Sequence, residues 1–183
     1  MNFINAIDDF LSYMSSVRSY SPHTIGAYQR DLHQFYHFAR EYFALDDVAI
    51  SAIDKTTLRH FLGMLTENKY SARSAGRKLA ALKSFFKYCL RRGWIEKNPA
   101  YSIKSPKIPR TLPSVLSKEQ TRKLFHNIDV HNFVTARDAA MIELFYAAGI
   151  RLSELVDLQL RDVQFNNNLL SVTGKGNKQR LLP

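Results

Sequence analysis

Apolar residues recur at helical spacing in four segments of the first hundred residues. The first of these segments predicts a helix over residues 3–17. Its apolar stripe comprises Ile7, Phe10, Leu11, Met14 and Val17. Ser21, Asp54 and Ser71 each stand before another such run and are expected to cap three further helices. The second helix should begin directly after Ser21 and end near Phe43, so this half of the chain is predicted to be a four-helix bundle.

The helix predicted after Ser71 has two faces of opposite character. Its apolar residues follow one another at intervals of three or four: Ala75, Leu79, Leu82, Phe86 and Cys89. A second set keeps the same rhythm but is displaced by two residues, about 200° around the helix: Arg73, Arg77, Ser84, Lys87 and Arg91. We therefore expect one face in the core and a basic face opposite it. No acid is expected to neutralise that face, which favours a phosphate backbone over simple solvation.

The second half of the chain opens with a proline-rich stretch, and four prolines fall within fifteen residues. They predict an extended linker over residues 103–116, between a helical domain at 1–102 and a second domain at 117–183. Ser117 and Gln120 form a capping box at the start of that second domain.

A later helix of the second domain, capped around Thr135 and largely buried, should lead to Gly149. Strand patterns around 163–165, 169–172 and 180–182 predict a small antiparallel sheet. The expected fold class is mainly α, with an α+β second domain.

The charge of the chain is concentrated in one segment. The 183 residues carry a net charge of +10, and residues 69–110 alone hold twelve Lys/Arg against one acid, Glu96. A local excess of this kind favours a nucleic-acid partner. No apolar run approaches the roughly 20 residues that span a bilayer. Cys89 is the only cysteine, which excludes an internal disulfide and fits the cytoplasm, and the histidines show no metal-ligand spacing.

Arg151 and Lys175 form the most specific chemical pattern in the chain. Gly149 predicts the end of one helix, so Arg151 lies at the junction with the next, where Glu154 can hold its guanidinium. Lys175 lies between two glycines at the tip of the predicted hairpin. A fixed guanidinium can clamp phosphate oxygens, and a lysine ammonium can protonate a leaving oxygen. The spacing fits a buried ion pair and a solvated turn residue equally well.

The stretches Gly149–Leu155 and Gly174–Pro183 resemble the start of the catalytic domain of tyrosine site-specific recombinases, the phage-integrase family, and in particular its bacterial Xer type. The resemblance implies that Arg151 binds the scissile phosphate, that Glu154 supports the site and that Lys175 is the general acid toward the 5′ hydroxyl. It also implies a 3′-phosphotyrosyl intermediate, no cofactor or metal, and a tetramer of recombinase protomers on paired DNA sites.

The N-terminal half resembles the same family's core-binding, SAM-like domain. The matching segments are Ser21–Leu32, Leu79–Tyr88 and Asn98–Ala100. The resemblance implies that the second and fourth helices enter successive major grooves of double-stranded DNA. The residues expected to contact DNA are Arg30, His33, His37, Arg73, Arg77, Lys78, Lys87, Arg91, Lys107 and Arg110. The two histidines also fit ordinary solvated positions, and the linker also fits a solvated segment without contacts.

Several elements of the family pattern have no counterpart before Pro183: the His-x-x-Arg pair, a later His or Trp, and the nucleophilic tyrosine. We therefore expect this chain to bind DNA without cleaving it. Its second domain should expose apolar surface near Leu155, Leu158, Leu169 and Leu181, with self-association as a consequence. Two alternatives stay open: a non-catalytic protein that occupies recombination sites, and a basic helical adaptor that binds RNA or an acidic protein.

Overall fold

The computed structural model describes residues 1–18, 20–108, 115–128, 130–174, 176 and 178–183. The chain divides into two compact units, Met1–Thr111 and Leu112–Pro183. This division falls within the predicted linker, whose limits of 103–116 stay a prediction. Ile103, the first residue of that segment, is buried in the core of unit 1.

Unit 1 is a bundle of four helices: α1 (Phe3–Ser16), α2 (Pro22–Phe43), α3 (Lys55–Glu67) and α4 (Ala72–Arg91). A 3-10 turn at Ile50–Ala52 lies between α2 and α3. The three predicted caps are confirmed. Each cap side chain accepts the N–H three residues on, at 3.3 Å for Ser21, 2.7 Å for Asp54 and 3.1 Å for Ser71. These bonds satisfy N–H groups that the first turn of a helix leaves without a partner.

Aromatic rings from all four helices form the core of unit 1. Phe35 of α2 meets Phe61 of α3 edge-on at 5.1 Å, and Phe3 of α1 lies 5.3 Å from Phe85 of α4. Edge-to-face and tilted pairs at these distances are the favoured arrangements of aromatic rings. The apolar stripe predicted for α4 is buried in full. Val17, assigned to the stripe of α1, is exposed because α1 ends one residue before it.

Cys89 lies within this core, as predicted. Burial raises the pKa of its thiol to about 12, because an apolar environment disfavours the thiolate. The thiol therefore remains protonated and chemically quiet at neutral pH.

Unit 2 contains shorter helices and one sheet: α5 (Lys118–His126), α6 (Phe133–Ala148), α7 (Leu152–Val156), β1 (Val163–Gln164), β2 (Leu169–Gly174) and β3 (Lys178–Leu182). The sheet is antiparallel in the order β1-β2-β3, with Val163 opposite Leu170 and Val172 opposite Arg180. The predicted capping box of α5 is confirmed, since Ser117 and Gln120 bond each other's backbone N–H groups. The fold class is thus mainly α with a small antiparallel sheet, as predicted.

Two expectations for α6 are wrong. The helix begins earlier, and its cap is Asn132; Thr135 is the third helical residue and closes the box by accepting the Asn132 N–H at 3.2 Å. The helix is also largely exposed rather than buried, with Ala139 its one fully buried residue. The reason is the size of the core it could join, because the buried cluster of unit 2 consists of Ile150, Leu155, Leu170 and Val172.

The apolar surface of unit 2 is therefore not where the sequence placed it. Leu181 is exposed, but Leu155 is buried, and Leu158 and Leu169 are half-buried. The most exposed large apolar side chains lie elsewhere: Phe133, Tyr146, Leu152, Val156, Leu160 and Phe165.

Within the described ranges, no helix combines the length and the apolar character that crossing a bilayer demands.

Candidate nucleic-acid interface

The backbone around Arg151 is fixed by the end of one helix and the start of the next. Gly149 ends α6 with φ of 56°, in the left-handed region that glycine adopts without strain. Ile150 is buried, and Arg151 is the cap residue of α7. The Glu154 side chain accepts the Arg151 backbone N–H at 2.8 Å, which ties the junction to the first turn of α7. The predicted position of Arg151 between two helices is confirmed.

Glu154 joins two guanidinium groups. Its Oε1 accepts from Nη1 of Arg151 at 2.8 Å and from Nη1 of Arg180 at 2.8 Å, and its Oε2 accepts from Nη2 of Arg180 at 2.9 Å. These hydrogen bonds, first the one from Arg180 and then the Arg151 N–H, lower the pKa of Glu154 from 4.5 to about 2. The carboxylate is therefore ionised at all physiological pH values.

The exposure of the three side chains decides what this cluster can bind. The Glu154 side chain is only 2 % exposed, whereas that of Arg151 is 66 % exposed. One nitrogen of Arg151 is held from below, and the rest of its fork faces solvent. Two guanidinium groups against one carboxylate leave a net positive charge. The cluster is thus a preorganised donor for an anion with several oxygens, such as a phosphate.

Gly174, at the end of β2, passes directly beside this cluster. A Cβ at this position would lie 2.9 Å from Oε1 of Glu154, 3.2 Å from Nη1 of Arg180 and 3.6 Å from Nη1 of Arg151. Ordinary contacts between heavy atoms are about 3.5–4.0 Å. Only glycine lets the strand approach so closely. Lys175, the residue that follows it in sequence, lies outside the described residues, so its predicted role as general acid stays a prediction.

The basic face predicted for α4 exists, with one exception. Arg73, Arg77, Lys87 and Arg91 are exposed on it. Lys78 is not part of this face: its side chain is 8 % exposed, and its Nζ donates to Oδ1 of Asp31 at 3.0 Å.

The expectation that no acid neutralises α4 is wrong, because Asp31 of α2 is buried and also accepts from Nη1 of Arg77. Lys78 is buried because it lies at a core-facing position of α4, and the carboxylate of a neighbouring helix makes that burial tolerable.

The other residues expected to contact DNA are dispersed. Arg30 and His37 of α2 are exposed, and Lys107 is exposed near the end of unit 1. His33 is half-buried, and its Nε2 is a buried atom without a hydrogen-bond partner. Arg110 lies outside the described residues. Because Asp31 bonds Arg77 and Lys78, the structure places α2 and α4 side by side in unit 1.

Within the described part of the chain, no group of three or more His, Cys, Asp or Glu side chains is arranged to hold a metal ion. The charged clusters described above are therefore built from arginine, lysine and single carboxylates.

Two family models match the chain. Residues 7–93 match "Phage integrase, N-terminal SAM-like domain", and residues 114–183 match "Phage integrase family". The first match covers the helical bundle of unit 1, and the second covers the Arg151–Glu154–Arg180 cluster. The chain belongs to the phage integrase family.

Relatives in this family share much of the sequence. Tyrosine recombinase XerC of Azotobacter vinelandii is 41 % identical over 178 residues, which cover 97 % of this chain and 58 % of the relative. The chain spans about three-fifths of the length of the curated relatives that it matches.

Solved structures share the fold at low sequence identity. A lambda integrase (75–356) dimer bound to a COC′ core site has a TM-score of 0.78 at 17 % identity, covering all of this chain and 62 % of that one. A lambda integrase tetramer bound to a Holliday junction has a TM-score of 0.78 at 17 % identity, covering all of this chain and 51 % of that one.

Sequence reasoning missed two residues of this phage-integrase site. Arg180 was treated only as part of a strand, although it alternates with Leu182 on β3, and both are half-buried. That alternation predicts a side chain that faces the unit's interior, and a half-buried arginine calls for an acidic partner. Asp31 was the other omission. It stands one turn before Phe35 on the core-facing side of α2, where a carboxylate also calls for a partner.

Proposed function

We propose that this chain is part of a site-specific DNA recombinase and binds double-stranded DNA through both of its units. The exposed basic side chains of α2 and α4 would hold the phosphate backbone. Arg151 would bind the phosphate at which the strand is broken and rejoined, and Lys175 would protonate the 5′ oxygen that leaves. The observation that carries this proposal is the Arg151 guanidinium, which is exposed to solvent and yet fixed by a buried carboxylate.

The chemistry of phosphoryl transfer explains why a fixed guanidinium is needed. When a nucleophile attacks a phosphodiester, negative charge builds on the oxygens that do not leave. A donor already in place stabilises that charge without reorganisation, and loss of one such donor typically costs a factor of about 10²–10³ in rate. Glu154 and Arg180 supply the preorganisation: the carboxylate bonds both the backbone and the side chain of Arg151, and Arg180 holds the carboxylate.

The position of Gly174 supports a role for the next residue. Consecutive Cα atoms are 3.8 Å apart. Because Gly174 adjoins all three members of the cluster, the residue after it starts within reach of a phosphate bound at Arg151. A lysine there meets the geometric requirement for a general acid, which must come within hydrogen-bond distance of the oxygen it protonates.

The names of the related proteins support the wider proposal. XerC relatives are called tyrosine recombinases, and the lambda integrase structures contain DNA in dimeric and tetrameric assemblies. We infer that the whole protein breaks and rejoins DNA through a 3′-phosphotyrosyl intermediate, assembles with other recombinase protomers and acts in the cytoplasm, where its DNA partner is found.

The test is a binding titration with labelled duplexes of DNA and of RNA with the same sequence, at 50 and 200 mM salt. A protein that contacts six to ten phosphates loses about 10³–10⁵ in affinity over that range. Replacing Arg73, Lys87 and Arg91 together with glutamine should reduce the salt slope by about 2.7, at about 0.9 per phosphate contact.

The matched control for this triple variant replaces Lys55, Arg59 and Lys69, exposed cations around α3. It should leave the slope unchanged. Preference for RNA, or an equal loss in the two triple variants, would overturn the proposal and favour a general basic adaptor.

A further inference from the structure

A small recess in unit 1 lies between the end of α1, the start of α2 and the last turns of α4. Its volume is about 170 Å³, and it is lined by Phe10, Tyr13, Met14, Arg18, Tyr20, Tyr28, Ser84, Lys87 and Arg91. Sites for drug-sized ligands have volumes of about 300–1,000 Å³. This recess is therefore suited to a single small group, such as one phosphate, rather than to a whole nucleotide or cofactor.

The charge of this recess sets it apart from the others. Arg18, Lys87 and Arg91 line it, and no acidic side chain does. Each of four other recesses in the described part of the chain includes at least one acid: Asp54 and Glu96, Glu67, Glu41 and Asp46, and Asp31. Within the same described residues, neither Arg18, Lys87 nor Arg91 forms an ion pair with a carboxylate. Three like charges around one concave space repel each other until an anion enters.

Tyr13 holds the arginines at the wall of the recess. Its hydroxyl oxygen accepts from Nε of Arg18 at 3.0 Å, and the guanidinium of Arg91 lies 5.8 Å from the centre of its ring. The hydrogen bond from Arg18, with the nearby charge of Arg91, lowers the pKa of the Tyr13 hydroxyl. Because that oxygen accepts from Arg18, the phenolic O–H proton is free to donate to an anion.

We propose that this recess binds one backbone phosphate of duplex DNA, with Arg18, Lys87 and Arg91 supplying the charge and the Tyr13 hydroxyl a hydrogen bond. The proposal rests on the proposed function and deepens it. It extends the DNA surface beyond the basic face of α4 to the end of α1, where neither Arg18 nor Tyr13 follows from the helical pattern.

The test measures duplex DNA binding by the full chain between 50 and 200 mM salt for the wild type, Arg18→Gln and Arg59→Gln. Arg59 is an exposed arginine on α3, away from the recess, and serves as the matched control. Loss of one phosphate contact should reduce the salt slope of Arg18→Gln by about 0.9. The affinity ratio of wild type to Arg18→Gln should then differ by about 3-fold between the two salt concentrations. Arg59→Gln should match the wild type.

Further variants keep the outcome clear. Arg18→Lys retains the charge and should keep most of the slope, whereas Tyr13→Phe removes one neutral hydrogen bond and should weaken binding with little change of slope. Unfolding followed by the fluorescence of Trp94, the single tryptophan, verifies that each variant is folded.

Three results would decide against the recess. Equal slopes for wild type and Arg18→Gln overturn this inference and leave the proposed function intact. Absence of duplex binding by the wild type overturns both. Saturable NMR shifts of Tyr13 and Arg18 with inorganic phosphate, together with unchanged duplex binding by Arg18→Gln, identify a free-phosphate site and also overturn the inference.

Discussion

The buried carboxylate between α2 and α4 provides the sharpest test of how unit 1 is held together. The Asp31 side chain is 2 % exposed and accepts hydrogen bonds from Arg77 and from the equally inaccessible Lys78. Asp31→Asn preserves the volume and removes the charge. It leaves the ammonium of Lys78 in the interior without a counter-ion.

The magnitude follows from burial. Removing one partner of a buried ion pair typically costs about 3–5 kcal/mol, because the other charge stays desolvated and uncompensated. An exposed pair contributes about 0–1 kcal/mol. Asp46, which pairs with Arg40 at 2.7 Å and is fully exposed, offers that comparison within the same unit. We therefore expect Asp31→Asn to lower the free energy of unfolding several-fold more than Asp46→Asn does.

Urea unfolding followed by Trp94 fluorescence measures the difference, since Trp94 packs on Tyr88 in unit 1 at 5.7 Å. With a urea dependence of about 1–3 kcal/mol per M, the midpoint for Asp31→Asn should fall by at least about 1 M. Adding Lys78→Met to Asp31→Asn removes the stranded charge and should recover most of the loss. Equal midpoints for Asp31→Asn and Asp46→Asn, or no recovery in the double variant, would refute this reasoning.

Three further predictions concern the Glu154 cluster and Cys89. The folded-state pKa of Glu154, about 2, lies below its ordinary 4.5, so its contribution to the stability of unit 2 is complete above pH 4.5 and is lost as the pH falls toward 2. Arg180→Gln should move that pKa back toward 4.5 in a carbon-13 NMR titration, and an unchanged value would contradict the assigned hydrogen bonds. Gly174→Ala should destabilise unit 2 by about 1–3 kcal/mol in thermal unfolding, because the new methyl group overlaps Glu154 and Arg180; no loss would show that the strand can move aside. Cys89 should resist a thiol reagent at pH 8 until the protein unfolds, and rapid labelling of the folded chain would disprove its burial.

Local patterns predicted most of unit 1. Helix caps such as Ser21 act over three residues, and the buried stripe of α4 follows from helical periodicity, so both are visible in a single sequence. Lys78 shows where this reasoning stops. The same periodicity places it among core positions, but its charge suggested exposure. The partner that decides the matter, Asp31, lies 47 residues earlier in the sequence.

Unit 2 was harder to predict. Apolar residues lie on several sides of α6, so the sequence did not indicate a buried face, and the observed core is too small to cover the helix. The pairing of Arg151 with Glu154 was predicted because the two are three residues apart on one helix. The bond from Arg180 spans 26 residues and depends on the register of the β2–β3 hairpin, which the sequence alone does not set at this precision.

The most direct test of the central claim is an NMR titration of the labelled full chain with duplex DNA at low salt. The account predicts that resonances of the exposed face of α4 shift together with the Nε–H of Arg151, and that both sets return as salt is raised. Shifts confined to unit 1, with Arg151 unaffected at saturating DNA, would contradict the claim that the Arg151–Glu154–Arg180 cluster is a DNA phosphate site.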